Sequence, residues 1–166
     1  MDAAQLPGDG MVTQALALDL ELARIVASRV VDPEIPVLTI ADLGILREVS
    51  CEGDRVRVTI TPTYSGCPAM RQIEDDLRSA LGAAGLAEVE ILTVHHPAWS
   101  SDWITAEGIE KLAAFGIAPP LSDGLVLCPR CQASTPKLVA RFGSTACKAL
   151  MVCSSCGEPF DYFKEY

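Results

Sequence analysis

Two C-x-x-C pairs, Cys128-Pro129-Arg130-Cys131 and Cys153-Ser154-Ser155-Cys156, stand 21 residues apart near the end of the chain. No other feature limits the fold as much. Each pair supplies one knuckle of a tetrahedral four-thiolate metal site. Lys137 to Phe142, Lys148 to Val152 and Glu158 to Phe163 have strand character, which completes the layout of a zinc ribbon over 126–166. A unit of about forty residues is too small to fold on its own core, so a metal must supply much of its folding energy. Zinc is the first expectation, although a rubredoxin-like iron or an iron–sulfur cluster uses the same thiolates. A closed four-thiolate zinc site is structural rather than catalytic. Cys147 lies outside both knuckles and reads as a free core thiol, with an alternative ribbon ligand as the other option.

The chain has 166 residues, room for one small domain ahead of such a ribbon. Ala118 to Gly124, with two prolines and a glycine, reads as a linker, giving a tail over 1–12, a domain over 13–117, a linker over 118–125 and the ribbon. Within the domain, Thr13 can cap a helix running to about Val31, with Leu16, Leu20, Ala23, Ala27 and Val30 inward and Leu22, Ile25 and Val26 widening that face. Asp32-Pro33-Glu34-Ile35-Pro36 is a stiff loop. Thr39 to Leu43 can form one helical turn that Gly44 ends. Ile45 to Cys51 and Arg55 to Thr61 flank a turn-forming Glu52-Gly53-Asp54 and predict a hairpin. Val56, Val58 and Ile60 alternate with polar residues, the period of a half-buried strand.

Next comes Thr61-Pro62-Thr63-Tyr64-Ser65-Gly66-Cys67-Pro68, followed by a helix whose inner face is Met70, Ile73, Leu77, Leu81 and Ala84. Glu88 to Val94 predicts a third strand, parallel to the second through a right-handed crossover. The architecture is therefore α/β (α+β): a small three-stranded mixed sheet packed by helices, plus the ribbon. This order puts Cys67 beyond the carboxyl end of a parallel strand and at a helix start, where α/β sheets place their sites. With Pro68 at the first helical position, Cys67 becomes the N-cap. The free N–H groups and the positive helix end then favour its thiolate, the form that binds metals. A buried, inert cysteine is the plain alternative. His95 and His96 point to opposite sides of an extended chain and make a poor chelating pair. Trp99 and Trp103 either close the end of the core or form a lid or contact surface. Thr105 can cap a last helix, with Ile109, Leu112, Ala113 and Phe115 inward and Gly116 as its stop.

The net charge of −9 argues against nucleic acid as the partner. No run of about 18 apolar residues exists, so no membrane span is expected. Met1 to Gly10 lacks a signal-peptide pattern, which makes the cytoplasm the expected location. In that reducing compartment seven cysteines suggest metal sites before disulfides.

Asp32-Pro33-Glu34-Ile35-Pro36, Asp42-Leu43-Gly44-Ile45 and Thr61-Pro62-Thr63 leading to Cys67-Pro68 resemble the small domain of metal–sulfur cluster assembly factors, the family that includes SufT. His96 to Ile104, Phe115 to Pro120, Phe142-Gly143-Ser144-Thr145-Ala146-Cys147-Lys148 and Glu158 to Lys164 are similar to one bacterial branch, the PaaD (PaaJ) subunits of phenylacetyl-CoA epoxidases. The resemblance implies an accessory role beside the reductase and oxygenase subunits in phenylacetate catabolism, helping an iron–sulfur centre to mature. It implies that Cys67 carries the reactive thiolate and binds iron or a cluster transiently, and that Asp32, Glu34, Asp42 and Thr61 shape its pocket. One thiolate is too few for a cluster, so a homodimer or a partner would supply other ligands. A purely structural docking subunit is the second reading. A thiol enzyme is the third, and it wants a base and an orienting group that two adjacent histidines do not obviously provide.

Overall fold

The computed structural model describes residues 9–52, 55–86, 88–121 and 124–165, with side chains from 19 onward and excluding 52. The elements run α1 (Asp9–Ser28), β1 (Leu46–Glu52), β2 (Arg55–Ile60), α2 (Ala69–Ala83), β3 (Val89–Thr93), α3 (Ala106–Ala114), β4 (Ile117–Ala118), β5 (Pro136–Ala140), β6 (Lys148–Cys153) and β7 (Pro159–Phe163), with a 3₁₀ turn at Ser101–Trp103. They form two sheets. The first has the order β1-β2-β3, antiparallel then parallel, and the second the order β4-β7-β6-β5. Both sheets, the helices and the mixed strand directions agree with the α+β architecture expected from the pattern of the sequence.

The first sheet is built by alternation. Val56, Val58 and Ile60 of β2 are buried while Arg55 is exposed. The register pairs Val58 with Val49 on one side and with Ile91 on the other. Ile73, Leu77 and Leu81 of α2 are fully buried, four residues apart, and close the core against this sheet. Ala23, Ala27 and Val30 line the inner side of the first helical segment and its exit, where small residues let α1 lie close.

Three expectations are corrected. The first helix begins at Asp9, ahead of Thr13, and stops at Ser28 rather than near Val31. It stops because Val31 bridges to Thr39, Ile40 N–H bonds to the Val30 carbonyl and Asp32 N–H bonds to the Leu38 carbonyl, which closes 30–40 into a loop. Leu22 and Ile25 are exposed rather than widening the buried face (Leu16 and the residues before Asp9 lie outside the described side chains). Phe115 and Ala113 are also exposed. After α3, Gly116 adopts φ +88° and turns the chain so that Ile117, not Phe115, enters the core.

The expected linker begins inside a strand: Ile117–Ala118 runs parallel to Asp161–Tyr162 of β7. The core of the first unit also includes Cys147 and Phe163, which come from the ribbon sequence. Phe163 is 1% exposed and tilts against Trp99, with ring centroids 6.1 Å apart. Trp99 is buried and its Nε1–H donates to the Leu43 carbonyl at 2.8 Å. It closes the end of the core, so it is not a free lid or docking residue. Trp103, half-buried, carries the Arg47 guanidinium 3.5 Å above its ring. Among the described residues, no helix is long and apolar enough to cross a membrane.

Gly44 joins these parts. Leu43 N–H reaches the Thr39 carbonyl and Gly44 N–H the Ala41 carbonyl, so one helical turn ends at Gly44 with φ +65°. A Cβ there would stand 2.5 Å from the Trp103 carbonyl oxygen and 2.6 Å from its Cβ. Gly44→Ala is expected to cost about 2–4 kcal/mol, since strain and a backbone clash combine. Gly85→Ala, at φ +89° but in open space, is expected to cost about 1 kcal/mol. Urea unfolding of both variants checks the difference, and equal losses would leave only the backbone preference as the cause.

Candidate functional site

The four ribbon cysteines converge. Their sulfurs all lie within 4.8 Å of one another, with Cys128 to Cys156 at 3.8 Å and Cys131 to Cys153 at 3.6 Å. A tetrahedron of sulfurs about 2.3 Å from a central zinc has edges of about 3.8 Å, so the donor set fits that ion. Two matched turns produce it. Gln132 N–H bonds to the Cys128 carbonyl at 2.8 Å and Gly157 N–H to the Cys153 carbonyl at 2.9 Å. Both residues take positive φ, +61° and +76°. Glycine does this freely. At Gln132 the side-chain amide donates to the Cys128 carbonyl at 3.3 Å and helps hold the turn. The Cys156 and Ser155 N–H groups bond the Cys153 sulfur and, with the Cys131 and Cys156 thiols, hold it below the usual thiol range against the cost of burial. Among the described residues, no other group of three or more potential metal ligands gathers so closely.

The second constellation is centred on Cys67. Cys67 sits just ahead of α2, as its place in the sequence suggests, but Pro68 is the N-cap and Ala69 the first helical residue. The thiol is half-buried. It accepts the Ala69 N–H and the Tyr64 hydroxyl, both of which favour a thiolate. Burial outweighs them, and the carboxylates of Glu34 and Asp32 add to it, so the thiol is pushed above its usual range. That direction runs against the thiolate that the helix start alone favours. A helix N-terminus contributes about 0.3–1 kcal/mol, too little against desolvation and two nearby negative charges.

Asp32 is 5% exposed and accepts the Glu34 N–H at 2.9 Å and the Ile35 N–H at 2.8 Å. Burial raises its pKa while those two bonds and Lys148 oppose the rise. Its role in the geometry is to fold the 32–35 loop and so present Glu34. Burial and then the Asp32 charge also push the Glu34 carboxyl up. Glu34 accepts a hydrogen bond from the Cys147 thiol at 3.7 Å. Burial drives the Cys147 thiol up to about 11, opposed by a hydrogen bond from the Thr145 hydroxyl at 3.0 Å.

Thr61 is buried, with its N–H on the Ile45 carbonyl at 2.9 Å. With Thr63, Tyr64, His95, Ala98 and Trp99 it lines a cleft of about 320 Å³ beside the Cys67 loop. Asp42 lies apart, on a cleft formed with Thr39, Thr105 and Lys111. Burial raises its carboxyl, but the Thr39 N–H, Lys111 at 2.9 Å and the Thr39 hydroxyl outweigh it, so its pKa is lowered overall. Its described bonds fasten α3 to the 39–42 turn. Two participants are not evident in the sequence. Tyr64 is only three residues from Cys67 but carries no motif of its own, and Cys147 has the look of spare packing.

Comparison with known proteins agrees with this geometry. Residues 118–164 match the PaaD zinc beta ribbon domain and residues 26–93 match the iron–sulfur cluster assembly protein family. The chain is 46% identical, over 144 residues, to an Escherichia coli K12 protein provisionally named as the D component of 1,2-phenylacetyl-CoA epoxidase, covering 82% of this chain and 87% of that one. The chain belongs to the PaaD family of epoxidase components. This PaaD-family chain is also 36% identical over 85 residues to an Fe–S protein maturation auxiliary factor of Porphyromonas gingivalis, covering 50% of it and 80% of the relative. A Bacillus anthracis DUF59 domain shares the fold of the first unit, with a TM-score of 0.54 at 24% identity, over 60% of this chain and 96% of that one.

Two outcomes follow from the site. Stripping the four-cysteine metal with a strong chelator is expected to release one equivalent and lower Tm by more than about 10 °C, because structural metal sites contribute folding energy outright. Cys128→Ser should do the same, and an unchanged Tm would make that cluster dispensable. Glu34→Gln removes a negative charge beside Cys67, which lowers the thiol pKa and raises its thiolate fraction. Alkylation of Cys67 at pH 7.5, followed on its peptide by mass spectrometry, is then expected to be about 3–10-fold faster, one pKa unit being tenfold. An unchanged rate would remove the carboxylate from control of the thiol.

Proposed function

We propose that this PaaD-family protein is an accessory factor of a phenylacetyl-CoA epoxidase, with no turnover of its own. It handles iron or an iron–sulfur cluster as cargo for the reductase or oxygenase subunits, and Cys67 is the transient ligand. The observation that carries this is the half-buried Cys67 thiol at the entrance to α2, held by Tyr64 and Ala69 beside Glu34, within the segment that matches the cluster-assembly family. A transient ligand must bind and release. A protonated thiol serves that purpose, since metal must displace its proton and the complex is correspondingly labile. In this reading the four-cysteine site, with zinc as the expected ion, is structural: it has no open position and fixes the ribbon against the first unit.

A docking subunit is the second reading, and one observation favours it. Leu138, Val139 and Phe142 are 55%, 58% and 68% exposed on and beside β5, the edge strand of the second sheet. Exposed Lys137 and Arg141 flank them. Such an apolar, basic edge suits contact with another subunit.

The two readings part at Cys67. In cells carrying Cys67→Ser, the co-expressed epoxidase reductase is expected to contain less than about a tenth of its normal iron and acid-labile sulfide, while the variant keeps its Tm and its ribbon metal. One thiolate removed from a cluster's ligands costs most of its affinity. A fully loaded reductase would leave docking as the function.

A further inference from the structure

Charge is divided unevenly along the chain. Residues 126–166 hold five basic and three acidic side chains, and the remaining residues hold eight and nineteen. β5 is the outermost strand of this basic stretch, in the order β4-β7-β6-β5. The Thr135 carbonyl accepts the Ser154 N–H at 3.0 Å, and the register continues with Lys137 opposite Val152 and Leu138 opposite Met151. Bonding alternates along an antiparallel pair, so the N–H and carbonyl of Leu138 turn away from β6. Exposed Leu138, Val139 and Phe142 surround those groups with apolar surface. Lys164 Nζ lies 4.6 Å over the Phe142 ring and donates to the Arg141 carbonyl at 3.4 Å. With exposed Lys137 and Arg141 it frames the apolar row in positive charge. Two other strand edges are closed. Arg24 on α1 donates from Nη2 to the Val49 carbonyl of β1 at 3.3 Å, and β4, at the far side of the second sheet, has only two residues, both buried.

We propose that β5 is a strand-addition site for an extended, acidic segment of another protein, one that alternates carboxylates with branched apolar side chains. This deepens the docking reading and rests on it, by naming the chemistry of the partner. The segment's backbone pairs with the outward N–H and carbonyl of Leu138, and its carboxylates meet Lys137 and Arg141. Charge decides between such a partner and a second copy of this chain. An antiparallel pair of β5 strands centred on Val139 would set Lys137 against Arg141 of the second copy, and like charges directly opposite are destabilising. Lysine on an edge strand guards against that self-pairing. The register shift between Leu138 and Ala140, with Val139 as the extra residue, shortens the available ladder further. The same guard that repels a copy attracts an acidic strand. Attraction of this kind acts on encounter and selectivity and weakens as salt rises.

The test uses the full chain with its ribbon metal in place and, as probe, the end-capped fluorescent peptide Glu-Val-Glu-Val-Glu-Val. By fluorescence anisotropy it is expected to bind about tenfold more tightly than Lys-Val-Lys-Val-Lys-Val, because two cross-strand charge pairs change sign. Proline at its second valine keeps the charge and removes a backbone donor, and is expected to weaken binding at least about fivefold. Lys137→Glu together with Arg141→Glu, both at exposed positions, should invert the preference. On the unsubstituted protein the Leu138 amide is expected to exchange with deuterium about tenfold more slowly at saturating acidic peptide. No preference for the acidic peptide would overturn the proposal. So would equal binding of its proline version, which needs only charge attraction, or an unprotected Leu138 amide at saturation. A dimer of this chain with Leu138 already protected would give the edge to a second copy and overturn it too. Co-purification with co-expressed epoxidase subunits separates the two ideas. Subunits held equally by the doubly substituted and unchanged proteins would end this inference and leave docking at another surface. Subunits that never bind, while the acidic peptide passes every comparison, would end docking in the epoxidase and leave the strand-addition site standing.

Discussion

The second sheet is held by its sulfurs. Its own apolar core consists of little more than Ala118, Met151 and Phe160 beside the buried cysteines, far too little to offset the entropy of ordering its chain. Four converging thiols have the spacing of a zinc tetrahedron, and a metal bound there would supply what that core lacks. The consequence reaches beyond the ribbon. β6 and β7 hold Cys147, Lys148 and Phe163 in place, and these residues complete the first unit's core and its polar seam. A metal held by the four ribbon cysteines would therefore also steady Cys147, which precedes β6 directly. β4, which pairs with β7 directly after α3, makes the connection short and stiff.

The first unit places its cysteine by topology and then restrains it by electrostatics. A parallel β2–β3 pair needs a crossover helix, and the entrance to that helix lies beyond the carboxyl end of β2. Cys67 stands there, with an amide and a phenol directed at its sulfur. A helix start by itself favours the thiolate. Burial opposes it, and the carboxylates of Glu34 and Asp32 add to that, so the thiol is pushed above its usual range. The result is a thiol that is hydrogen-bonded and oriented, with its ionisation opposed by its surroundings.

The strands, helices and knuckles were legible in the residues because each is written in a local pattern. Alternation gave β2, the spacing of Ile73, Leu77 and Leu81 gave α2, Thr105 gave the start of α3 and the C-x-x-C pairs gave the ribbon turns. The misreadings arose where the outcome depends on a distant partner. Phe115 looks like a core residue until Gly116 turns Ile117 inward instead. Trp99 can be surface or core in sequence, and Phe163 together with the Leu43 carbonyl decides for core. Gln132 carries no turn signal, since glutamine seldom takes positive φ, whereas Gly157 at the matching place does.

The sequence by itself determined the four-thiolate ribbon, the three-stranded mixed sheet and the position of Cys67 between a strand and a helix. Each follows from spacing along one stretch of chain. Only the tertiary structure decided the burial and neighbouring carboxylates that push the Cys67 thiol up, the diversion of Asp42 to Lys111 and the meeting of Cys147 with Glu34, residues 113 apart in sequence. The physical reason is that a pKa and a ligand set depend on burial and charge in three dimensions. For Cys67 and Asp42 those surroundings come from distant segments of the first unit, and for Glu34 and Cys147 from the packing of the ribbon sequence against it.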